Sequence, residues 1–174
     1  MLDGMYLDIA ILRHLTSRPS HGYQLKQSVQ RTMAFPLHNN SLYPALRRFE
    51  EAGAVRKTLE PQEGKPARHV YEITEVGREL LHDMLAELPP ELAGNEDEFL
   101  TRVGLFDQLT TDERRAILAA REAALAKRAD HLADLADRTD ASEEAREWGG
   151  VVMAELRGRV ERERAWLGEL AELA

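Results

Sequence analysis

The stretch Asn40-Ser41-Leu42-Tyr43-Pro44-Ala45-Leu46-Arg47-Arg48-Phe49-Glu50-Glu51-Ala52-Gly53 decides the reading of this chain. Leu42, Ala45, Leu46, Phe49 and Ala52 recur at i, i+3, i+4, i+7 and i+10, one apolar face of a helix. Asn39, Asn40 and Ser41 are good N-caps, and Gly53 is a stop signal. Pro44 is expected in the first turn, where its missing N–H costs little. The opposite face shows Ser41, Tyr43, Pro44, Arg47 and Glu51, which gives it aromatic, hydroxyl and cationic groups.

Two shorter helices are expected before this one. Leu7, Ala10, Ile11, Leu12 and Leu15 keep helical spacing from Met5 until Arg18-Pro19-Ser20 breaks the run. After His21-Gly22, a second helix uses Tyr23, Leu25, Lys26, Val29 and Met33 and ends before Phe35-Pro36, leaving a short linker at 34–39. Beyond Gly53, Val55 to Glu60 and Arg68 to Thr74 read as two strands around the turn-rich segment from Pro61 to Pro66. Thr74 caps a fourth helix carrying Leu80, Leu81, Met84, Leu85 and Leu88, which Pro89-Pro90 halts. Three helices followed by a hairpin are the parts of a winged helix-turn-helix, in which the third helix enters the major groove of DNA and the wing touches flanking backbone.

Charge patterning supports that expectation. The 174 residues carry 31 acidic and 23 basic side chains, a net charge of −8 that by itself argues against a nucleic-acid partner. Residues 1–88, however, hold 11 of each, whereas residues 89–174 hold 20 acidic and 12 basic. The 41 residues from Ile9 to Phe49 contain no Asp or Glu at all, yet include Arg13, Arg18, Lys26, Arg31, Arg47 and Arg48. A surface kept free of anions lowers repulsion from phosphate.

The second half reads as all-α. A short helix using Phe99, Leu100 and Val103 is expected after Glu91, then a long one capped by Thr110 or Thr111 and running to about Asp137. Leu118, Leu125 and Leu132 lie seven apart, the spacing of a helix-pair seam. A last helix from Glu143 to Leu173 carries Trp148, Val152, Leu156, Val160, Trp166, Leu167 and Leu170 on one broad face, with both tryptophans toward one partner. Gly149-Gly150 inside it marks a kink or a close backbone approach. Acidic runs at Asn95 to Glu98 and Asp140 to Glu144 are expected as solvated helix starts.

The run His21-Gly22-Tyr23-Gln24-Leu25, the stretch from Asn40 to Val55, and Gly64, Pro66, Arg68, Tyr71, Thr74, Gly77, Glu79 and Leu80 resemble the PadR family of bacterial transcriptional regulators. More loosely, the likeness extends through Asp97-Glu98-Phe99-Leu100 to Trp166-Leu167, as in the family's longer members. The resemblance implies a homodimer whose C-terminal helical regions pack together and hold two winged helices on an inverted-repeat operator. Such a regulator usually represses until a small effector binds. The position before Val70, often a strong cation in the family, is His69 here, so weaker wing contacts are expected.

The expected architecture is therefore mainly α, an α+β winged helix-turn-helix over 1–88 followed by an all-α helical dimerisation region over 89–174. Candidate DNA contacts are Ser41, Tyr43, Pro44, Arg47, Tyr23 and Asn40, with Lys65 and Arg68 in the wing. Tyr43 either reaches phosphate or base edges or packs on the first helix, and Ser41 caps its helix, binds phosphate, or both. Arg47 reads guanine, holds phosphate, or pairs with Glu51; Tyr23 bonds phosphate or sits half-buried in the core. Candidate dimer contacts are Leu118, Leu125, Leu132, Trp148, Val152, Leu156, Trp166, Leu167 and Leu170. Trp148, Met153 and Trp166 form either core and seam or the wall of a pocket for an apolar or aromatic effector.

No cysteine is present, so disulfides and thiolate zinc sites are excluded, and His21 has no ligand-spaced companion for a metal. No cofactor is expected. With no phosphate loop, HExxH or Gly-x-Ser-x-Gly motif, an enzyme is not expected either. No apolar run is long enough for a membrane, and Asp3 and Asp8 without a basic stretch do not make a secretory signal, so a cytoplasmic protein is expected. The competing reading is a winged-helix-derived helical adaptor without specific DNA binding.

Overall fold

The computed structural model describes residues 4–32, 39–62, 65–136 and 143–174. The expected interhelix linker, the wing tip at Gly64 and most of the acidic run from Asp140 lie outside the described residues. Two compact units emerge, Met1–Ala86 and Glu87–Ala174. Their architecture is mainly α, with one small antiparallel sheet.

In the first unit, α1 (Met5–Ser17), α2 (Gly22–Thr32) and α3 (Asn39–Glu51) precede the hairpin β2 (Val55–Gln62) and β3 (Lys65–Ile73), and α4 (Glu75–Ala86) follows. Helix α1 packs against α2, α4 and β3. Because it is covered on several sides, Ile9 is as fully buried as Ile11 and Leu12, although it lies off the apolar face that periodicity marks. Leu25, Val29, Leu42, Leu46 and Phe49 complete the three-helix core. At roughly 25 cal/mol per Å² of apolar surface, such side chains each contribute about 1.5–3 kcal/mol.

Helix α3 starts at Asn39, the first of the three residues expected as caps. Ser41 is therefore its third residue and not its N-cap, and Pro44 is its sixth, beyond the first turn. The amide that would bond the Asn40 carbonyl is missing, and the chain tolerates this where the helix face is exposed. At the other end Gly53 takes φ +72°, with Gly53 N–H donating to the Glu50 carbonyl and Ala54 N–H to that of Phe49. This is a left-handed C-terminal cap for which glycine is suited.

The cap turns the chain into β2, whose register with β3 pairs Val55 with Ile73 and Lys57 with Tyr71, with an irregularity between Glu60 and Gln62. Both strands are longer than the sequence pattern marks. A third strand, β1 (Ser20–His21), pairs with β3 through Ser20–Tyr71 and His21–Val70, giving the order β1-β3-β2. Thr74 caps α4 by accepting from Gly77 N–H at 3.2 Å, while its hydroxyl donates to the Gly53 carbonyl at 2.7 Å.

In the second unit, α5 (Glu96–Val103) leads through a 3₁₀ turn to α6 (Thr111–Ala136) and α7 (Glu143–Leu173). Asn95 caps α5 by accepting from Asp97 N–H. Thr110 caps α6 reciprocally: its N–H donates to the Glu113 carboxylate at 2.8 Å and its hydroxyl accepts from Glu113 N–H. One expectation is corrected at the start of α5. Glu98 is not solvated but fully buried, and pairs at 2.7 Å with the equally buried Arg102, which also donates to the Glu87 carbonyl. A buried pair of this kind adds little net stability, yet losing one partner costs about 3–5 kcal/mol.

Leu118, Leu125 and Leu132 on α6 and Val160 and Leu167 on α7 are buried within this one chain, where α6 and α7 pack together. Trp166 meets Phe99 edge-on, with ring centroids 6.0 Å apart. Leu156 and Leu170 are half-buried. By contrast Trp148 and Val152 are 67% and 58% exposed, so the two tryptophans do not share one packed environment. Helix α7 runs unbroken through Gly149-Gly150, and a Cβ at either glycine would meet nothing within 4 Å. Neither a break nor a close approach accounts for that pair within the chain.

Candidate nucleic-acid interface

The helical period of α3 buries Leu42, Ala45, Leu46 and Phe49 and leaves Tyr43, Pro44 and Arg47 exposed. Ser41 is half-buried. No acidic residue occupies the first turn, where backbone N–H groups and the helix dipole favour an anion. Tyr43 lies beside the start of α2: a Cβ built on Gly22 would stand 3.0 Å from its Cε1 and 3.2 Å from its Oη. The ring thus occupies space that any side chain at Gly22 would contest, while remaining 46% exposed.

Tyr23 is 67% exposed, not half-buried in the core, and its hydroxyl accepts from Gln27 Nε2 at 2.8 Å. His21 holds the start of α2 to the hairpin, with Nε2 3.4 Å from the Glu60 carboxylate and Nδ1 3.3 Å from the His69 carbonyl. Tyr23, Tyr43 and Arg68 line one cleft of about 380 Å³ together with His21, Gly22, Gln24, His69 and Tyr71. Burial pushes the Tyr71 phenol above its ordinary value, with Tyr43 and Glu50 adding to the shift, so it enters the cleft as a neutral hydrogen-bonding group.

The cations divide into two sets. Arg48 is held by both carboxylate oxygens of Asp8 at 2.8 and 2.9 Å, Lys57 sits 3.6 Å from Glu50, and Arg56 sits 3.3 Å from Glu72. Arg47 and Arg68 are exposed and make no ion pair with any described residue. The i+4 pairing of Arg47 with Glu51 is not formed. Glu60 lies opposite Arg68 in the strand register but reaches His21, which leaves the Arg68 guanidinium unneutralised. The side chains of Asn40 and Lys65 lie outside what the structure describes.

Sequence reasoning missed Asp8 as the partner of Arg48 and Glu60 as the partner of His21. Forty residues separate the first pair, and only the packing of α1 against the helix-turn-helix brings them together. No group of three or more His, Cys, Asp or Glu among the described residues is arranged to hold a metal. Among the described residues no helix is long and apolar enough to cross a membrane.

Three helices with a C-terminal hairpin, a third strand tying that hairpin to α2, and an exposed aromatic and cationic face on α3 define a winged helix-turn-helix domain. Residues 11–83 match the model of the Transcriptional regulator PadR-like family. No curated protein matches the sequence. Among solved structures, Bacillus subtilis PadR in complex with operator DNA is 18% identical, covers 96% of this chain and 98% of its own, and has a TM-score of 0.45. A putative transcriptional regulator from Thermoplasma acidophilum is 29% identical over 58% of this chain and 87% of its own, with a TM-score of 0.43. Bacillus subtilis PadR in complex with p-coumaric acid is 18% identical over 97% and 95%, with a TM-score of 0.40.

Proposed function

We propose that this chain is a homodimeric, sequence-specific DNA-binding repressor that holds an inverted-repeat operator and releases it when a small effector binds. The match of residues 11–83 to a transcriptional-regulator family supports the regulatory class. The observation that carries the DNA reading is the division of the cations. Arg47 on α3 and Arg68 on β3 are exposed and make no ion pair among the described residues, Arg68 lining one cleft with Tyr23 and Tyr43, while Arg48 is neutralised within the domain. Unpaired guanidinium groups beside aromatic hydroxyls suit a major groove and its flanking phosphates.

In this reading α3 enters the groove through Ser41, Tyr43, Pro44 and Arg47, with Asn40 and Tyr23 toward the backbone. The wing adds Lys65 and Arg68 on flanking phosphates. The Met1–Ala86 unit, extended to residue 88, is the DNA-binding domain and the remainder the dimerisation region. Trp148 and Val152, exposed on one chain, are the dimer contacts, with half-buried Leu156 and Leu170 beside them. Leu118, Leu125, Leu132 and Leu167 act indirectly, by holding α6 to α7. The acidic second half keeps that end of the dimer off the DNA.

Selection from a random duplex pool at near-physiological salt tests this function. Enrichment of an inverted repeat is the expected result. Weak binding that vanishes with salt and enriches no sequence would favour the helical adaptor, which the net charge of −8 suits.

A further inference from the structure

One face of the hairpin carries two rungs of opposite charge, and only one of them closes. Arg56 on β2 is directly opposite Glu72 on β3, and the two side chains meet at 3.3 Å. Further along the same face Glu60 on β2 is directly opposite Arg68 on β3, with the Thr58–Val70 rung between. Opposite charges placed directly across an antiparallel pair attract at close range, so this rung should close as the first one does. Instead the Glu60 carboxylate lies 3.4 Å from Nε2 of His21, and Arg68 is exposed with no ion pair to any described residue.

Strand β1 brings His21 to that face. It pairs with Val70, on the middle rung, from the other edge of β3. Side chains paired across strands share a face, so the imidazole stands on the side of Glu60 and Arg68. Its second nitrogen, Nδ1, is 3.3 Å from the His69 carbonyl, which sets the direction of the ring across β3. The histidine side chain is 22% exposed and that of Glu60 57%, so the ring is the seated partner and the carboxylate the one with room to turn. The closed rung has no such third partner, since β1 consists of Ser20 and His21 and Ser20 pairs with Tyr71 on the opposite face.

We propose that His21 is a positioning residue for DNA binding. By holding the Glu60 carboxylate it leaves the Arg68 guanidinium to a phosphate, and without it Glu60 closes the rung onto Arg68 and removes that cation from the wing. The functional meaning rests on the DNA-binding reading, whereas the change of partner by Glu60 takes place in the protein without DNA.

Two measurements on the full chain test this. Without DNA, NMR of the arginine side chains follows the Arg68 Nε–H resonance, identified by its loss in Arg68→Lys. Glu60→Gln is expected to move that resonance far more in a His21→Ala background than in the wild type, because only there does the carboxylate meet the guanidinium. With DNA, a mixed-sequence duplex suffices, since a phosphate contact carries no sequence information. His21→Ala is expected to weaken binding about fivefold and to flatten the slope of log affinity against log salt by about 1. Adding Glu60→Gln is expected to restore both, and in an Arg68→Ala background His21→Ala is expected to change neither. His21→Leu, which keeps the bulk of the ring and removes its donors, is expected to behave as His21→Ala does, and unchanged helical circular dichroism separates loss of the contact from loss of fold.

A loss of binding that Glu60→Gln does not restore, or that persists without Arg68, would make His21 a purely structural residue and overturn the proposal. Wild-type binding in His21→Ala, or equal movement of the Arg68 resonance in both backgrounds, would overturn it as well. Failure of the wild type to bind any duplex would sink the DNA reading and the role of His21 in binding with it, while the NMR result would still decide which partner Glu60 takes.

Discussion

Gly22 and Tyr43 are in steric register: the first residue of α2 lacks a side chain where the Tyr43 ring lies, and a methyl there would stand 3.0 Å from Cε1. An alanine at the first position of a helix costs nothing in propensity and adds up to about 1 kcal/mol over glycine. Gly22→Ala is therefore expected to leave thermal stability unchanged or slightly raised, while moving the Tyr43 ring by a few tenths of an ångström. Operator affinity is expected to fall roughly tenfold, about 1.4 kcal/mol. Fluorescence anisotropy together with a melting curve checks both, and unchanged affinity would take Tyr43 out of the interface.

Arg47 and Arg48 are adjacent and differ in partner. Arg47→Ala is expected to cost roughly 1–3 kcal/mol of operator affinity with no loss of stability. Arg48→Ala removes the ion pair with Asp8 and is expected to lower stability by about 1 kcal/mol or less, since Arg48 is exposed. Equal affinity losses for the two substitutions, at equal stability, would contradict the division of the cations.

Arg68 sits exposed on β3 with no ion pair among the described residues. As a phosphate contact it carries no sequence information, so Arg68→Ala is expected to weaken specific and non-specific duplexes by the same factor. The slope of log affinity against log salt is expected to flatten by about 1. Titrations at several salt concentrations measure it.

His14 gives a pH dependence of stability. Burial, reinforced by Arg13 and Arg18, holds its imidazole below the ordinary value. Above that ordinary value, about 6.5, the group is neutral in folded and unfolded chains alike and carries no penalty. As pH falls through it, the unfolded chain takes the proton first, so stability drops until the lower folded value is passed. His14→Gln is expected to reduce the difference in denaturant midpoint between pH 7 and pH 5. An unchanged difference would assign the acid sensitivity to other groups.

Trp148 and Leu167, both candidates for the dimer seam, part company in the structure. Trp148→Asp, at a 67% exposed site on α7, is expected to give folded monomers in sedimentation velocity. Leu167→Asp buries a carboxylate between α6 and α7 and is expected to destabilise the chain by several kcal/mol. A dimer that survives Trp148→Asp would move the seam elsewhere.

How far the sequence could be read follows from the range of the forces involved. Helix α3 was legible because Leu42, Leu46 and Phe49 repeat at a local period, and the cap at Thr74, with the cap of α6 narrowed to Thr110 or Thr111, because a cap is made within three residues. Strand β1 was not legible, since Ser20–His21 is a strand only by pairing with β3 some 50 residues later. Glu98 and Arg102 at i, i+4 have the pattern of a surface pair, and only the covering chain at Glu87 makes them core. Leu118, Leu125 and Leu132 carry the same spacing whether the facing helix belongs to this chain or another. At the candidate DNA face the residue types could be read, but which arginine makes no ion pair among the described residues depended on Asp8 and Glu60, fixed by tertiary packing.

The most direct measurement is parallel selection of wild type and Arg47→Ala from one random duplex pool at near-physiological salt. Wild type is expected to enrich an inverted repeat, with half-sites about 34–36 Å or a multiple of it apart. The variant is expected to enrich the same repeat, with preference relaxed at one position in each half-site. No enriched repeat with wild type, or an identical preference at every position with the variant, would contradict α3 as the element that reads the sequence.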